Sequence, residues 1–472
     1  MENNKLEKHY GLVTAICLVV GIVIGSGVFF KAEKILTATG GDLSTAILAW
    51  FIGALIMLIC SYTFSLMASK YEKVNGIIDY AETVVGKRYA YFVGWFVSVI
   101  FSPALTSVLA WVTARYTCIV LGISDVVGGT CMTIAAFYLC LSYAINALSP
   151  RLAGKVQVST TIIKLIPLLL MGIIGTVMGV KSGMTAHNFT FVPSAAEIVA
   201  VKPDYVPVAS PLLTAVVASA FAYEGWIFAT SINSELKNAK RDLPIALLGG
   251  AAIIAIIYIL YYVGLAGAAD NLTMISGGET GVMTAFSNIF GVYGGTLLMV
   301  FVVISCFGTL NGLMLSSVRG LYSLAARNDG PAPEIFSSVD DKTKMPTNSA
   351  VIGLMICCGW LFYYYGANLA ETPWFGAFCF DLSELPIVTL YAMYIPIFFM
   401  IIVKERSFNP FNRFVAPALS IVGSAFMIYA AFLSHGTGTV LHYLVVYAVI
   451  MIIGLAFNMK NRSSLSHKGK NE

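Results

Sequence analysis

Stretches of roughly twenty mostly aliphatic and aromatic residues, almost free of charge, recur from residue 12 to residue 458. About 20 such residues carry a helix across the hydrocarbon core of a bilayer. A spanning barrel would instead show segments of about ten residues in which polar and apolar positions alternate. No alternation of that kind runs through these stretches, so the pattern predicts an all-α membrane protein. Bounded at charges and turn residues, the runs give about twelve transmembrane helices: 12–36, 44–68, 90–120, 126–147, 156–180, 210–233, 244–268, 293–320, 349–368, 375–402, 414–434 and 438–458.

The charges between the runs set the orientation. With the N-terminus in the cytoplasm, 22 of the 28 Lys and Arg residues fall on the inner side. Lys31, Lys34, Arg115, Lys181 and Lys202 fall outside, and Lys164 is left within the bilayer. Basic residues concentrate in cytoplasmic loops as a general rule, so both termini are expected inside. The segment MENNKLEKHY has no small-residue cleavage site after it and is expected to remain as a cytoplasmic tail.

Composition removes several function classes. Hydrophobic residues are 58% of the 472 and charged residues 11%, against about a quarter charged in soluble domains. A net charge of +4 spread over short loops leaves no basic block for nucleic acid. The nine cysteines lack metal or redox spacing and read as buried hydrophobes, with Cys118 and Cys131 the pair that can meet across a short loop. No zinc motif of the form His-Glu-x-x-His and no phosphate loop is present, and the histidines at 9, 187, 435, 442 and 467 are scattered. An enzyme, a metal site and a cofactor are therefore not expected. No polar stretch is long enough for an attached soluble domain, and the tail 461–472 is too short for a signalling segment. The longest outer loops fall near 181–208 and 269–291.

Helices 1 and 6 carry glycine-containing interruptions at mid-span, Gly21-Ile-Val-Ile-Gly-Ser-Gly27 and Phe221-Ala-Tyr-Glu-Gly-Trp226. Interrupted helices at corresponding places, five spans apart, point to a transporter built from two inverted repeats. At such a break the N–H groups of Gly25, Ser26 and Gly27 can hold a carboxylate, because a half-helix N-terminus favours negative charge. The carbonyls of Ile22 and Val23 would face an ammonium group. The competing reading of Gly21-x-x-x-Gly25 is close packing between helices.

The segment Val20-Gly-Ile-Val-Ile-Gly-Ser-Gly-Val-Phe-Phe30 resembles the helix 1 motif of the amino acid–polyamine–organocation superfamily, most closely its L-type amino acid transporter branch. Phe221-Ala-Tyr-Glu-Gly-Trp226 with Glu235-Leu-Lys-Asn-Ala-Lys-Arg-Asp-Leu-Pro244 is similar to that branch's helix 6 and following loop. Phe307-Gly-Thr-Leu-Asn-Gly312, leading to Arg319 and Ala325-Ala-Arg-Asn-Asp-Gly330, is similar to its helix 8. The motifs agree in order over roughly residues 11–405. The resemblance implies a five-plus-five inverted repeat with helices 1 and 6 unwound at mid-membrane, carrying α-amino acids by alternating access. The first repeat is then 11–180, the second 209–403, and helices 11 and 12 occupy 413–458. By the same resemblance Ser26 and Gly27 bind the carboxylate, Val23 and Phe221 offer carbonyls to the ammonium, Ala222 belongs to the site, and Phe221 and Trp226 gate it.

Three ionisable groups fall deep in the bundle. Lys164 lies about 14 Å into helix 5 at 1.5 Å per residue, and mid-span charges are costly and usually functional. In the resembling family a lysine here takes the place of a bound sodium ion, which implies a sodium-independent exchanger or permease. Glu224 extends by one methylene the aspartate found in some family members and bears on whether the side chain taken is neutral or basic. Glu384 is read as a pocket or proton site. Asp381 is expected at the outer mouth, Glu235 with Arg241 in the cytoplasmic closure, and Asp79 to Glu82 on an amphipathic cytoplasmic helix beside Lys87 and Arg88. An amine, polyamine or proton-coupled carrier of the same fold is the alternative. Heavy-chain-linked animal members carry a cysteine between helices 3 and 4, and 121–130 has none. The expected partners are an amino acid substrate and the bilayer of a bacterial inner membrane, without a covalently linked heavy chain.

Overall fold

The computed structural model describes residues 11–71, 76–343 and 345–468, and regular structure across them is helical. Helices are what the bilayer demands. A backbone N–H or C=O in hydrocarbon has no water to bond, and a helix satisfies each within one segment. Among the described residues eleven helices are long and apolar enough to cross a membrane, and a bent pair taken as one span makes the twelfth.

Span 1 is that pair, Leu12–Val23 and Gly27–Ala38, bent by 44°. Span 2 is Leu43–Lys70, span 3 Lys87–Leu121, span 4 Gly129–Leu148, and span 5 Leu152–Ser182. Span 6 is the helix Pro211–Tyr223 continued by 3-10 turns over Trp226–Glu235. Spans 7 and 8 are Ala239–Ala268 and Glu279–Ala325, the latter turning at Gly291, whose φ of 73° is left-handed. Spans 9 to 12 are Thr347–Leu369, Leu385–Lys404, Phe411–His435 and Thr437–Lys468.

Two expected boundaries are corrected. Span 10 begins at 385 rather than 375, because Asp381 turns the chain by accepting the Ser383 N–H at 2.7 Å and its hydroxyl at 2.6 Å. Pro386 then sits in the first helical turn, where its missing N–H costs nothing. The loops near 181–208 and 269–291 are also not structureless. They hold the helices Met184–Thr190, Ala195–Val201 and Asn271–Gly277, and the first part of span 8. Asn188 ties them down, donating to Ala266 O and Ala269 O at 2.6 and 2.9 Å, while Asn271 reaches Gly41 O at 2.9 Å.

The helix Ile77–Val84 lies at the face of the bundle that carries most of the basic residues. Its acids pair with Arg327 at the end of span 8, Asp79 to one guanidinium nitrogen and Glu82 to the other. On the same face Lys70 pairs with Glu405, which also accepts the Tyr71 hydroxyl at 2.8 Å.

Lipid tails are as apolar as leucine, so helix association in a membrane relies on close packing and interhelical hydrogen bonds. Both occur. Span 5 meets span 7 at Gly175, Gly179, Gly264 and Gly267, where a side-chain carbon on Gly267 would fall 2.3 Å from Gly175 O. Thr106 bonds Ser317 at 3.0 Å and Thr63 bonds Ser420 at 2.7 Å. Span 12 is fastened to span 3 by Tyr91 on Gly454 O at 2.5 Å and Trp95 on Ile450 O at 2.9 Å. Large exposed side chains such as Ile256, Val422 and Ile452 are the lipid-facing surface. Cys118 and Cys131 do meet, both buried and both free thiols.

Gly267→Ala should destabilise the protein by about 1–3 kcal/mol, since the added carbon lands on backbone that cannot yield. Gly249→Ala, whose added carbon meets nothing within 4 Å, should not destabilise. Thermal midpoints of the purified variants in one detergent check the difference.

Candidate functional site

The site is built where helix fails. The first half of span 1 ends as Ile24 takes φ −67° and ψ 107°, and the second resumes at Gly27. The Ile24 N–H closes the first half on Val20 O, and the Phe30 N–H closes the second on Ser26 O, each at 2.8 Å. Between them the N–H groups of Ser26 and Gly27 reach no backbone acceptor among the described residues, and no backbone N–H returns to Ile22 O. Glycine is required here by crowding. A side-chain carbon on Gly25 would lie 2.2 Å from Thr309 Oγ1, and one on Gly27 would lie 2.4 Å from Ala222 Cα.

Span 6 breaks opposite. Its helix ends at Glu224, extended at ψ 158°, and Gly225 follows at φ +109°, a conformation that side chains oppose. Gly225 packs directly on Ile22 of the first break. Two side chains take carbonyls that the breaks release. Lys164 Nζ, fully buried in span 5, donates to Gly21 O and Ile24 O at 2.6 Å each. The Tyr258 hydroxyl of span 7 is shared between Val23 O at 3.0 Å and Ala222 O at 3.1 Å, and the Gly25 N–H faces its oxygen.

A cavity of ≈ 30 Å³ lies between the breaks. Ile22, Val23, Gly25, Ser26, Gly27, Phe221, Glu224 and Gly225 line it, with Leu105, Leu109, Phe228, Thr309 and Leu313. A buried water needs about 10–15 Å³ on this measure, so the cavity must widen to take a larger solute. Ser26 Oγ and Thr309 Oγ1 border it without a hydrogen-bond partner among the described residues. The Glu224 carboxylate has no partner there beyond the adjacent Gly225 N–H. Unpaired polar groups in a buried site are costly unless a ligand or water completes them.

Toward the face opposite the basic one, the cavity is roofed. The Phe221 ring meets Phe30 edge-on at 5.8 Å, and Phe30 meets Trp111 at the same distance. Lys31 Nζ sits 5.4 Å from the centre of the Phe221 ring and 5.3 Å from that of Phe30. It pairs with Glu384 at 2.5 Å and donates to Ser383 Oγ at 3.0 Å, while His435 Nε2 lies 3.1 Å from the other Glu384 oxygen.

The residues expected from sequence therefore divide. Ile22, Val23, Gly25, Ser26, Gly27, Phe221 and Glu224 line one cavity. Ala222 stands behind it, its carbonyl on Tyr258 and its Cα against Gly27. Lys164 lies behind the first break. Trp226 is not at the cavity wall; it is fully buried, 5.8 Å from Phe64 and 6.0 Å from Tyr394. Glu384 is likewise outside the cavity, bound into the ion cluster over its roof by a lysine 353 residues away. The Glu235 side chain lies outside the described residues, as do the tails 1–10 and 469–472. Sequence reasoning missed Tyr258 and Lys31. Lys31 carried a signal, a cation five residues beyond the break, but Tyr258 is one of 24 tyrosines.

A helical bundle with a mid-membrane cavity walled by two discontinuous helices is the architecture of a secondary transporter. Residues 10–456 match the family model described as "Amino acid permease". The chain belongs to that family, and it is a multi-pass membrane transporter rather than an enzyme. It is 30% identical over 439 residues to the serine/threonine exchanger SteT of Bacillus subtilis (strain 168), covering 90% of this chain and 92% of that one. It is 23% identical over 352 residues to the human cystine/glutamate transporter, covering 74% and 67%. It is 26% identical over 348 residues to the human large neutral amino acids transporter small subunit 2, covering 72% and 62%.

Tyr258→Phe should lower stability by about 1–3 kcal/mol, since two buried carbonyls lose their donor. Ser26→Ala should stay within about 0.5 kcal/mol of wild type, because its hydroxyl has no partner to lose. Thermal unfolding of substrate-free protein checks both.

Proposed function

We propose that the protein is a sodium-independent exchanger or permease of neutral or basic α-amino acids, working by alternating access between repeats 11–180 and 209–403. The observation that carries this reading is the pairing of the breaks. Among the described residues, N–H groups at Ser26 and Gly27 and carbonyls at Ile22 and Phe221 that make no backbone hydrogen bond border the same cavity. Such a pair of opposite dipole ends matches the carboxylate and ammonium of an α-amino acid. Phe221 closes the cavity toward the roof, and Glu224 stands where the substrate side chain would be read. The full-length likeness to a serine/threonine exchanger supports exchange of amino acids.

Sodium independence rests on Lys164. Its nitrogen already satisfies Gly21 O and Ile24 O, the oxygens that a bound cation would need. The basic-rich face is assigned to the cytoplasm with both termini, and the membrane to a bacterial inner membrane, by the distribution of Lys and Arg. The transporter is expected to work without a covalently linked heavy chain. A carrier of amines or one coupled to protons is the second reading, favoured by the Glu224 carboxylate on the cavity wall. Competition between an amino acid and its decarboxylated amine separates the two, since only the former uses Ser26 and Gly27.

Purified protein in liposomes should take up labelled neutral amino acids against an internal load at equal rates in sodium and choline buffers. A steep sodium dependence would refute the role given to Lys164, and no counterflow would refute the function. Ser26→Ala should weaken binding about 5–30-fold, the equivalent of about 1–2 kcal/mol for one hydrogen bond to a charged group.

Glu224→Gln should reduce uptake of basic amino acids more than neutral ones, and wild type should exclude glutamate and aspartate, since like charges repel in a poorly solvated site. Acidic amino acids emerging as the best substrates would remove Glu224 from substrate selection.

A further inference from the structure

The outer ends of spans 3 and 4 bring two thiols together. Span 3 stops where Gly122 turns left-handed at φ 69°, and the Ile123 N–H closes it on Cys118 O at 2.9 Å. Span 4 starts at Gly129, and Cys131 lies in its first turn. Asp125 sets the link between them, its carboxylate accepting the Gly128 N–H at 2.5 Å and the Thr130 N–H at 3.1 Å. The Cys118 and Cys131 side chains, thirteen residues apart in the chain, are thereby placed in hydrogen-bond contact with each other. Both are buried and both are free.

Water stands one helical turn away. Leu121, Gly122 and Ser124 are exposed on one side of the pair, and Gly129 and Thr130 on the other. A space of ≈ 380 Å³ at this face is walled in part by Ile119 and Val126, so the corner is approached from beside as well as from above. Helix ends open locally at small cost, which brings buried thiols to a reagent in the aqueous layer. Cys140 and Cys358 also come near each other, but they lie at the middle of spans 4 and 9, where no water meets the thiolate that exchange requires.

We propose that Cys118 and Cys131 are a disulfide site, oxidised within one chain by a disulfide reagent on the outer side. One thiolate attacks a sulfur of the reagent, whose S–S bond breaks to release one thiol. The other thiolate then attacks the mixed disulfide at the protein sulfur and releases the second thiol. The cysteines lose two electrons and two protons, and the reagent becomes two thiols that take them up. Disulfides persist on the oxidising side of a membrane and not in the cytosol, so the site rests on the orientation proposed above but not on the substrate. The bond closes a short loop and ties span 3 to span 4. Span 3 carries Leu105 and Leu109 on the central cavity and Trp111 in its roof, so the bond braces the wall of that cavity.

Thiol mapping tests this. Intact cells are exposed to glutathione disulfide, which does not cross the membrane, with inside-out vesicles from the same cells as the second arm. Remaining thiols are alkylated, and the purified full chain is cut at Asp125, which puts the two cysteines on separate peptides. From intact cells those peptides should emerge joined, and reduction should separate them. The oxidised chain should unfold at a higher temperature than the reduced one, and Cys118→Ala should lose that difference. Recovery of both cysteines alkylated, of either one still carrying glutathione, or of a bond to a second chain would overturn the site. A bond formed in vesicles but not in intact cells would overturn its outer placement while leaving amino acid exchange untouched. Equal unfolding temperatures of the two forms would overturn the bracing.

Discussion

Hydrocarbon offers the backbone no hydrogen bonds, and every special feature of this protein answers that one constraint. Twelve helices satisfy it internally almost everywhere. At Ile24–Gly27 and Glu224–Gly225 they do not, and the freed groups have to be met one by one. Lys164 takes two carbonyls and Tyr258 takes two more. The few that are left over, with Ser26 Oγ and Thr309 Oγ1, border the central cavity. The wall of the central cavity is what remains of the backbone after the protein has completed the rest.

The same solvent makes the roof effective. An ion pair in low dielectric is held strongly only if its remaining donors and acceptors are met. Lys31 has Glu384, Ser383 and the faces of two aromatic rings, and Glu384 has His435 besides. These residues come from spans 1, 6 and 11 and from the turn before span 10. Span 11 thereby touches the cluster that lies over the central cavity.

Much of this was legible in the sequence, for definite physical reasons. Hydropathy marks the spans because about 20 apolar residues have few other uses. Glycines flanking Ile24 and following Glu224 mark the breaks, and a lysine in mid-span marks itself by its cost. The start of span 10 was misread because residues 374–380 are rich in aromatics yet form no more regular structure than a single 3-10 turn, Gly376–Phe378. Phe375 stacks on Tyr363 at 5.1 Å and Phe380 meets Tyr443 edge-on at 5.0 Å, so the apolar run is a ledge against neighbouring spans. Tyr258 was invisible for a different reason. In a segment reading Tyr258-Ile-Leu-Tyr-Tyr262, only the depth of the opposing carbonyls distinguishes one hydroxyl from the next. Lys31 and Glu384 are far apart in the chain, and their pairing is a property of the fold.

The shared hydroxyl of Tyr258 also limits how the breaks can move. Val23 O belongs to one half-helix and Ala222 O to another, and a single O–H spans both. Two hinges joined by one pin have fewer independent coordinates than two free hinges. Tilting either half-helix drags or releases the other, so the conformational entropy of the pair is lost once, when the hydroxyl seats, rather than separately at each break. A solute that orders one side of the cavity then finds the other side already in register.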